Sequence, residues 1–189
     1  MIMKDLNDLY KSFEIGIRST KATKPQEYLK SIGLDYTDLR IGFNSGQFHH
    51  REKQEVKDHY QSLGLLTPSD AAVRTDEMTA YTVFGRYGLV FPLMNRENVV
   101  VNYFALRFEL ATPTEHYLNR LGLYPSYPNQ NTKRLFIVPT VMDAASLLQS
   151  KALDHREAVL ALYDGKLLPQ HEKAIAALSD LEEIIIIKR

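Results

Sequence analysis

The stretch RLFIVPTVMDAASLL, residues 134–148, decides the fold of the second half of this chain. A β-branched, apolar run ends at Val138, Pro139 interrupts it, and a helical pattern begins at once with an acid, Asp143, in its first turn. The pattern predicts a strand, a short loop and a helix. A loop of this kind lies at the carboxyl edge of a parallel sheet, where ions and phosphates commonly bind. It is therefore the first candidate site, although it holds a proline and a threonine.

The residues after this stretch continue the same alternation. EAVLALY (157–163) and EEIIIIKR (182–189) have the composition of strands, and residues 169–179 have the spacing of a helix. Continuous apolar strands that alternate with helices are typical of a parallel sheet covered on both faces. Three parallel strands are few for an independent sheet. Either further strands belong to it, or the preceding part of the chain completes the layer.

The first two thirds of the sequence have a different character. Apolar residues at helical spacing predict helices at 3–18, 25–32, 35–40 and 51–63. Two β-branched and aromatic runs, 81–93 and 98–110, predict a hairpin or a small antiparallel sheet. Residues 65–80 and 111–132 are expected to be loops, since prolines interrupt both.

These patterns predict two parts. Residues 1–130 form an α+β N-terminal lobe of helices and a small antiparallel sheet. Residues 131–189 form a small α/β subdomain with a parallel sheet that is short of strands.

Composition excludes several classes of function. The 23 basic and 23 acidic residues cancel, so the chain has no global charge to hold a polyanion, and a nucleic-acid site must be a local patch. The chain has no cysteine, which excludes disulfides, cysteine-based zinc sites and thiol catalysis and is usual in cytoplasmic proteins. No apolar run approaches the roughly 20 residues of a membrane span, so we expect no contact with membranes.

Four segments of the first two thirds resemble, in order, motifs of the catalytic core of bacterial-type DNA primases. PQEYLKSIGLD (25–35) and YQSLGLL (60–66) are similar to two helix-and-glycine elements of that family. GLVFPLMNRENVVVNYFALRF (88–108) is similar to its Arg-hydrophobic-Phe-Pro-Ile signature and to the following strand, which ends in Gly-Gly-Arg. EHYLN (115–119) resembles its Lys-Tyr-Leu-Asn motif, with histidine in place of lysine.

The last third resembles the Toprim domain, which forms the second half of these primase cores. LFIVPTVMDAASLL (135–148) falls where Toprim has its first strand, a Glu-Gly pair and a later Asp-Ala. LALYDGKLLPQHEKAI (160–175) resembles the second Toprim strand, its turn and its helix. The resemblance covers about residues 5–189, and the shared order of the motifs carries it more than any single motif does.

The resemblance implies metal-assisted nucleotidyl transfer, in which the glutamate and a later Asp-x-Asp pair hold magnesium. This chain has Pro139 in place of the glutamate and Thr140 in place of the glycine, while Asp143 matches the later acid. Lys188 and Arg189 stand where the family has Asp-x-Asp. Asp143 is therefore the one candidate metal ligand and catalytic residue, and we expect weak or absent Mg²⁺ binding. Its alternative role is that of an acid stabilising a helix start.

The resemblance also implies a nucleic-acid surface. Arg107 matches the arginine that ends the family's Gly-Gly-Arg strand, and Arg86 lies two positions from the first family arginine. Lys133 adds charge near the junction with the second part, and Asn119 ends the HYLN motif. We predict that these four residues contact nucleic acid. The alternatives are ion-paired surface residues for the arginines and a loop cap for Asn119.

Two functions remain open from the sequence. The first is a primase-like core, without a zinc-binding module, that makes RNA primers from nucleotides on single-stranded DNA and works with replication proteins in the cytoplasm. The substitution at Pro139 predicts that its catalysis is impaired. The alternative is a non-catalytic Toprim-like module that binds nucleic acid or assembles with a partner. The order of the motifs favours membership of the primase family. The missing acids favour a module without catalytic activity.

Overall fold

The computed structural model describes residues 5–69, 80–109 and 112–188. Within these ranges the chain forms five helices and nine strands. The helices are α1 (Leu6–Ile17), α2 (Thr23–Ser31), α3 (Gln54–Ser62), α4 (Val141–Gln149) and α5 (Pro169–Ala176). The strands are β1 (Gly42–Asn44), β2 (Leu66–Pro68), β3 (Tyr81–Val83), β4 (Gly88–Met94), β5 (Val100–Arg107), β6 (Thr114–Tyr117), β7 (Arg134–Val138), β8 (Glu157–Ala161) and β9 (Glu183–Ile186).

The first part of the chain is built on a four-stranded antiparallel sheet with the order β1-β4-β5-β6, as the aromatic and β-branched runs predicted. A separate two-stranded ribbon joins β2 to β3. All seven residues of β4 are buried, because helices cover one face of this sheet and the second part of the chain covers the other. Tyr103, on β5, packs against Tyr10 and Phe13 of α1 on the helical face.

The second part is a three-stranded parallel sheet with the order β8-β7-β9, which confirms the predicted parallel topology. β7 is central, and its residues Leu135, Val138 and Ile137 are buried by helices on opposite faces. One face packs on α4, and the other packs on Ala174 of α5 and on Leu178 just after it. The helices cover both faces because each crossover between parallel strands must return over the sheet.

The two sheets share one hydrophobic core. Phe91 and Phe104 of the antiparallel sheet belong to the same buried cluster as Val138, Ala144 and Tyr163 of the second part. The first part of the chain therefore completes the layer over the small parallel sheet, which was one of the two alternatives that the sequence left open. The division of the chain at residue 130 stays a prediction.

The helix predicted at 35–40 was wrong. Asp35 accepts the backbone N–H of Thr37 on its side chain, at 2.7 Å, and the N–H of Leu39 on its carbonyl, at 3.0 Å. These bonds close a turn that the chain does not continue, since an aspartate side chain competes with the helical bonding pattern.

Three strands in segments without a strand prediction were missed. β1, β2 and β6 have only three or four residues each, which is too short for alternation to show in a sequence. β1 and β6 form because longer neighbours offer a free edge, β4 to β1 and β5 to β6, whereas β2 pairs with the equally short β3.

None of the helices in the described ranges has both the length and the apolar composition needed to cross a membrane.

A buried histidine stabilises the start of α5. His171 is fully buried, its Nδ1 accepts the N–H of Leu168 at 3.0 Å, and its Nε2 lies 3.1 Å from the carbonyl of Ala161 at the end of β8. The bond at Nδ1 fixes a neutral ring that donates from Nε2. Burial lowers the pKa of His171, and burial also lowers the pKa of His49 to about 4.

We expect the free energy of unfolding to decrease as the pH falls below about 6.5, because the unfolded state takes up protons that the buried rings resist. Urea unfolding between neutral and mildly acidic pH would measure this slope. His171→Asn should reduce it, and His155→Asn, at an exposed position, should leave it unchanged. Equal slopes in the native chain and in His171→Asn would contradict this role of His171.

Candidate nucleic-acid site

The carboxyl edge of the parallel sheet is formed by two short connections that are tied together. Residues 139–140 join β7 to α4, and the carbonyl of Pro139 accepts the N–H of Gly165 at 2.8 Å. Gly165 belongs to a tight turn after β8, in which Asp164 and Gly165 both have positive φ, 50° and 75°. Such a turn requires residues that tolerate left-handed conformations, and Asp-Gly is a preferred pair.

Asp143 caps the start of α4. Its carboxylate oxygen Oδ2 accepts hydrogen bonds from the backbone N–H of Thr140 at 3.1 Å and from the Thr140 hydroxyl at 2.7 Å. In return, the Asp143 N–H donates to the Thr140 hydroxyl oxygen at 3.2 Å. This reciprocal arrangement is a capping box. The acid that the sequence marked as a candidate metal ligand is thus half-buried and bonded within its own helix start.

The side chains at this edge do not fit the magnesium site that the resemblance implies. Magnesium takes oxygen ligands in a near-octahedral array. Pro139 has no ligating side chain, Asp143 is bonded to Thr140, and Asp164 lies on an exposed turn. Within residues 5–69, 80–109 and 112–188, no three Asp, Glu or His side chains converge where they could hold an ion.

A buried asparagine joins the antiparallel sheet to this edge. Asn102, at the centre of β5, is fully buried, and its Oδ1 accepts the N–H groups of Tyr103 and Asn119. Its Nδ2 lies 2.9–3.0 Å from the carbonyls of Asn119 and Leu121 and from the hydroxyl of Tyr163. This network was not predicted from the sequence. The signal was an asparagine inside an otherwise apolar strand, since a buried amide must find partners.

A cleft of about 400 Å³ opens between β6, the segment after it and the turn after β8. Its ionisable side chains include Arg120 and Lys166, the acids Glu115 and Asp164, and the imidazole of His116. The ring of Tyr117 stacks on that of Tyr163, with centroids 4.3 Å apart. Burial raises the pKa of the Tyr117 hydroxyl, so that hydroxyl stays protonated at neutral pH.

Asn119 lines the same cleft, but its side chain closes a loop. Its Nδ2 donates to the carbonyl of Val101 at 3.0 Å, and its Oδ1 accepts the N–H of Leu121 at 2.8 Å. This is the loop-capping role that the sequence allowed as an alternative. Contact of Asn119 with nucleic acid stays a prediction.

Arg107 and Arg86 lie at one end of the antiparallel sheet. Arg107 ends β5, and Arg86 lies in the turn between β3 and β4. Gly85, in that turn, has a φ of 60° and packs so closely on Ala105 that a β-carbon there would lie 2.8 Å from that of Ala105. The guanidinium of Arg86 lies 4.9 Å from the ring centroid of Tyr87. The structure thus brings these two predicted residues to the same end of one sheet.

Lys133 lies elsewhere. It directly precedes β7 at the amino edge of the parallel sheet, opposite the edge that carries Asp143, and it forms an ion pair with Glu182. Its neighbour Arg134 is held between Glu157 at 2.6 Å and Glu183 at 2.8 Å, on the two flanking strands. Lys133 is therefore not part of the group that Arg86 and Arg107 form.

No family model matches this chain, and no curated protein matches it in sequence. Solved structures do match its fold. The E. coli primase catalytic core superimposes with a TM-score of 0.76 at 17% identity, over 96% of this chain and 60% of that one. The DnaG primase catalytic domain bound to single-stranded DNA gives 0.74 at 18% identity, over 94% and 57%. The RNA polymerase domain of Mycobacterium tuberculosis primase DnaG, in complex with double-stranded DNA, gives 0.62 at 11%, over 95% and 61%.

The chain thus spans about three fifths of the length of the primase cores that it matches. At these identities the likeness concerns the fold. The element order, the antiparallel sheet and the parallel sheet at the carboxyl end all agree with the resemblance found in the sequence motifs. The protein therefore has the fold of the bacterial-type DNA primase catalytic core.

Proposed function

We propose that this chain is a primase-like core that binds nucleic acid and is impaired in primer synthesis. The observation that carries the second half of this proposal is the capping box at the start of α4. Asp143 is the one acid that matches the family pattern in the loop after β7, and its carboxylate oxygen Oδ2 is bonded to Thr140. Pro139, directly before Thr140, stands where the family has glutamate. Its side chain can neither bind a metal nor move a proton.

The proposal that the chain binds nucleic acid is based on one face of the antiparallel sheet. Residues that pair directly across neighbouring strands project to the same face. Arg107 pairs with Thr114 and Ala105 pairs with His116, so the side chains of Arg107 and His116 share a face. The turn that carries Arg86 also packs against Ala105. These contacts gather three basic side chains at one end of the sheet, and within the described ranges neither arginine forms an ion pair.

An exposed aromatic ring accompanies this charge. Tyr87 is 40% exposed and lies beneath the guanidinium of Arg86. Guanidinium groups bind phosphates, and exposed aromatic rings stack with unpaired bases. The combination favours single-stranded DNA, which is also the ligand named for one structural neighbour. Because the net charge of the chain is zero, binding should be weak and should depend strongly on salt.

Other partners follow from the fold as proposals. A primase-like core would meet nucleotides and replication proteins in the cytoplasm. The alternative is a non-catalytic module that only binds nucleic acid or assembles with a partner, and it would use the same face with Arg86, Arg107 and His116.

Charge reversal at Arg107 should weaken single-stranded DNA binding about tenfold at low salt, because one phosphate contact is replaced by repulsion. Fluorescence anisotropy with a labelled oligonucleotide at several salt concentrations would measure both affinity and salt slope. Arg156→Glu makes the same charge change at the far, amino edge of the parallel sheet and is the matched control. Equal losses in both variants, or none in Arg107→Glu, would remove Arg107 from the site.

The 189-residue chain should not extend a primer on a single-stranded template with Mg²⁺ and ribonucleotides. Pro139→Glu should not restore synthesis, because one added acid beside a bonded Asp143 leaves the ligand set incomplete. DNA binding measured on the same sample shows that the protein is folded, and an active primase core serves as the positive control. Template-directed synthesis that Asp143→Asn abolishes would contradict the impairment.

A further inference from the structure

The aliphatic stem of the Arg86 side chain lies against a backbone position that carries no side chain. Gly46, two residues after β1, is buried, and a β-carbon placed on it would lie 2.7 Å from Cγ, 3.2 Å from Cδ and 3.4 Å from Nε of Arg86. Carbon atoms in favourable contact are about 3.5–4.0 Å apart. The stem of Arg86 therefore occupies the space that any larger residue at position 46 would need.

A buried asparagine ties this glycine to the turn that carries Arg86. Asn44, the last residue of β1, is 1% exposed. Its Oδ1 accepts the N–H of Gly46, and its Nδ2 donates to the carbonyl of Phe84, both at 2.8 Å. Loss of either bond would leave a buried polar group without a partner, which is costly, so the two segments keep a fixed separation. Gly46 also has a φ of 83°, a left-handed conformation that other residues adopt with strain.

The far end of the same side chain has contacts of its own. The guanidinium carbon of Arg86 lies 4.9 Å from the ring centroid of Tyr87, and Nη2 lies 3.5 Å from the Tyr87 hydroxyl. The stem and the head of this exposed arginine are thus both in contact with neighbouring groups. A side chain that is already ordered loses less conformational entropy when it binds a ligand, so a phosphate would find this guanidinium in place.

We propose that Gly46 is a positioning residue for the basic face, and that its missing side chain seats the stem of Arg86 so that the guanidinium is held over Tyr87 to bind a phosphate of single-stranded DNA. This inference rests on the proposed function, because it takes Arg86 as a phosphate contact. A larger residue at position 46 would turn the Arg86 side chain away from Tyr87. The positive charge would stay on the protein but would leave the place where the phosphate binds.

Gly46→Ala tests this role, and Gly33→Ala is the matched control. Gly33 has a φ of 74°, close to that of Gly46, but a β-carbon there meets no atom within 4 Å. Both variants carry similar backbone strain, and Gly46→Ala alone displaces Arg86. Fluorescence anisotropy with a labelled single strand should show about fivefold weaker binding for Gly46→Ala, with a salt slope lower by about 0.7 for the lost phosphate. Arg86→Ala should lower the slope equally, and Gly33→Ala should bind like the native chain.

The double variant Gly46→Ala with Arg86→Ala separates positioning from a general loss of structure. If Gly46 acts through Arg86, adding Gly46→Ala to Arg86→Ala should not weaken DNA binding further. Thermal unfolding should show the same coupling, since removal of the stem should restore part of the stability that Gly46→Ala loses. Unchanged binding in Gly46→Ala where Arg86→Ala weakens it, or an equal further loss in both backgrounds, would overturn the positioning role alone. Unchanged binding in Arg86→Ala would overturn this role and also remove Arg86 from the proposed nucleic-acid face.

A measurement on the native chain keeps the test decisive if Gly46→Ala does not fold. NMR relaxation of the arginine Nε groups reports how ordered each side chain is. The Nε group of Arg86 should be clearly more ordered than that of Arg18, which is exposed at the end of α1. Equal mobility of the two groups would show that the 46 position does not hold Arg86 and would overturn the inference.

Discussion

The structure depends on one buried amide. Asn102 joins the antiparallel sheet to the 119–121 loop and to Tyr163, which follows β8, an outer strand of the parallel sheet. A buried amide without partners is costly, so these bonds fix the position of the loop and of Tyr163 together. The cleft between β6 and the turn at Asp164 has its shape because this network holds both of its walls.

The carboxyl edge of the parallel sheet is built for stability in this chain. Parallel sheets with crossover helices place loops and helix starts at this edge, and such positions commonly bind anions or ions. Here the capping box of Thr140 and Asp143 satisfies the helix start, and the bond from Gly165 to Pro139 closes the loop on its neighbour. The basic residues lie on the other sheet. The basic face proposed for nucleic acid is therefore separate from this edge, where the side chains of Thr140 and Asp143 stabilise a helix start.

The sequence predicted the fold class well where the signal was long and local. The apolar run at 134–138, followed by a cap and a helix, needed no tertiary contact to be recognised. The short strands β1 and β6 were not predictable, because pairing with strands distant in sequence determines them. The turn at Asp35 was missed for a local reason, since the side chain of Asp35 competes with the helical bonding pattern. The candidate site residues were predictable to different degrees. The sequence placed Arg107 at the end of a strand, as the structure has it. The sequence did not show that Lys133 lies at the amino edge of the parallel sheet, away from Arg86 and Arg107, because that depends on how the two parts of the chain pack.

Asp143 caps the start of α4, and we propose that it does not hold a divalent cation. Titration of Mn²⁺ into isotope-labelled protein, followed by NMR relaxation of the amides of Thr140, Asp143 and Gly165, measures this directly. We predict no saturable broadening at these amides, and the same result for Asp143→Asn. Saturable broadening centred on the loop after β7, which Asp143→Asn removes, would show that Asp143 holds a divalent cation.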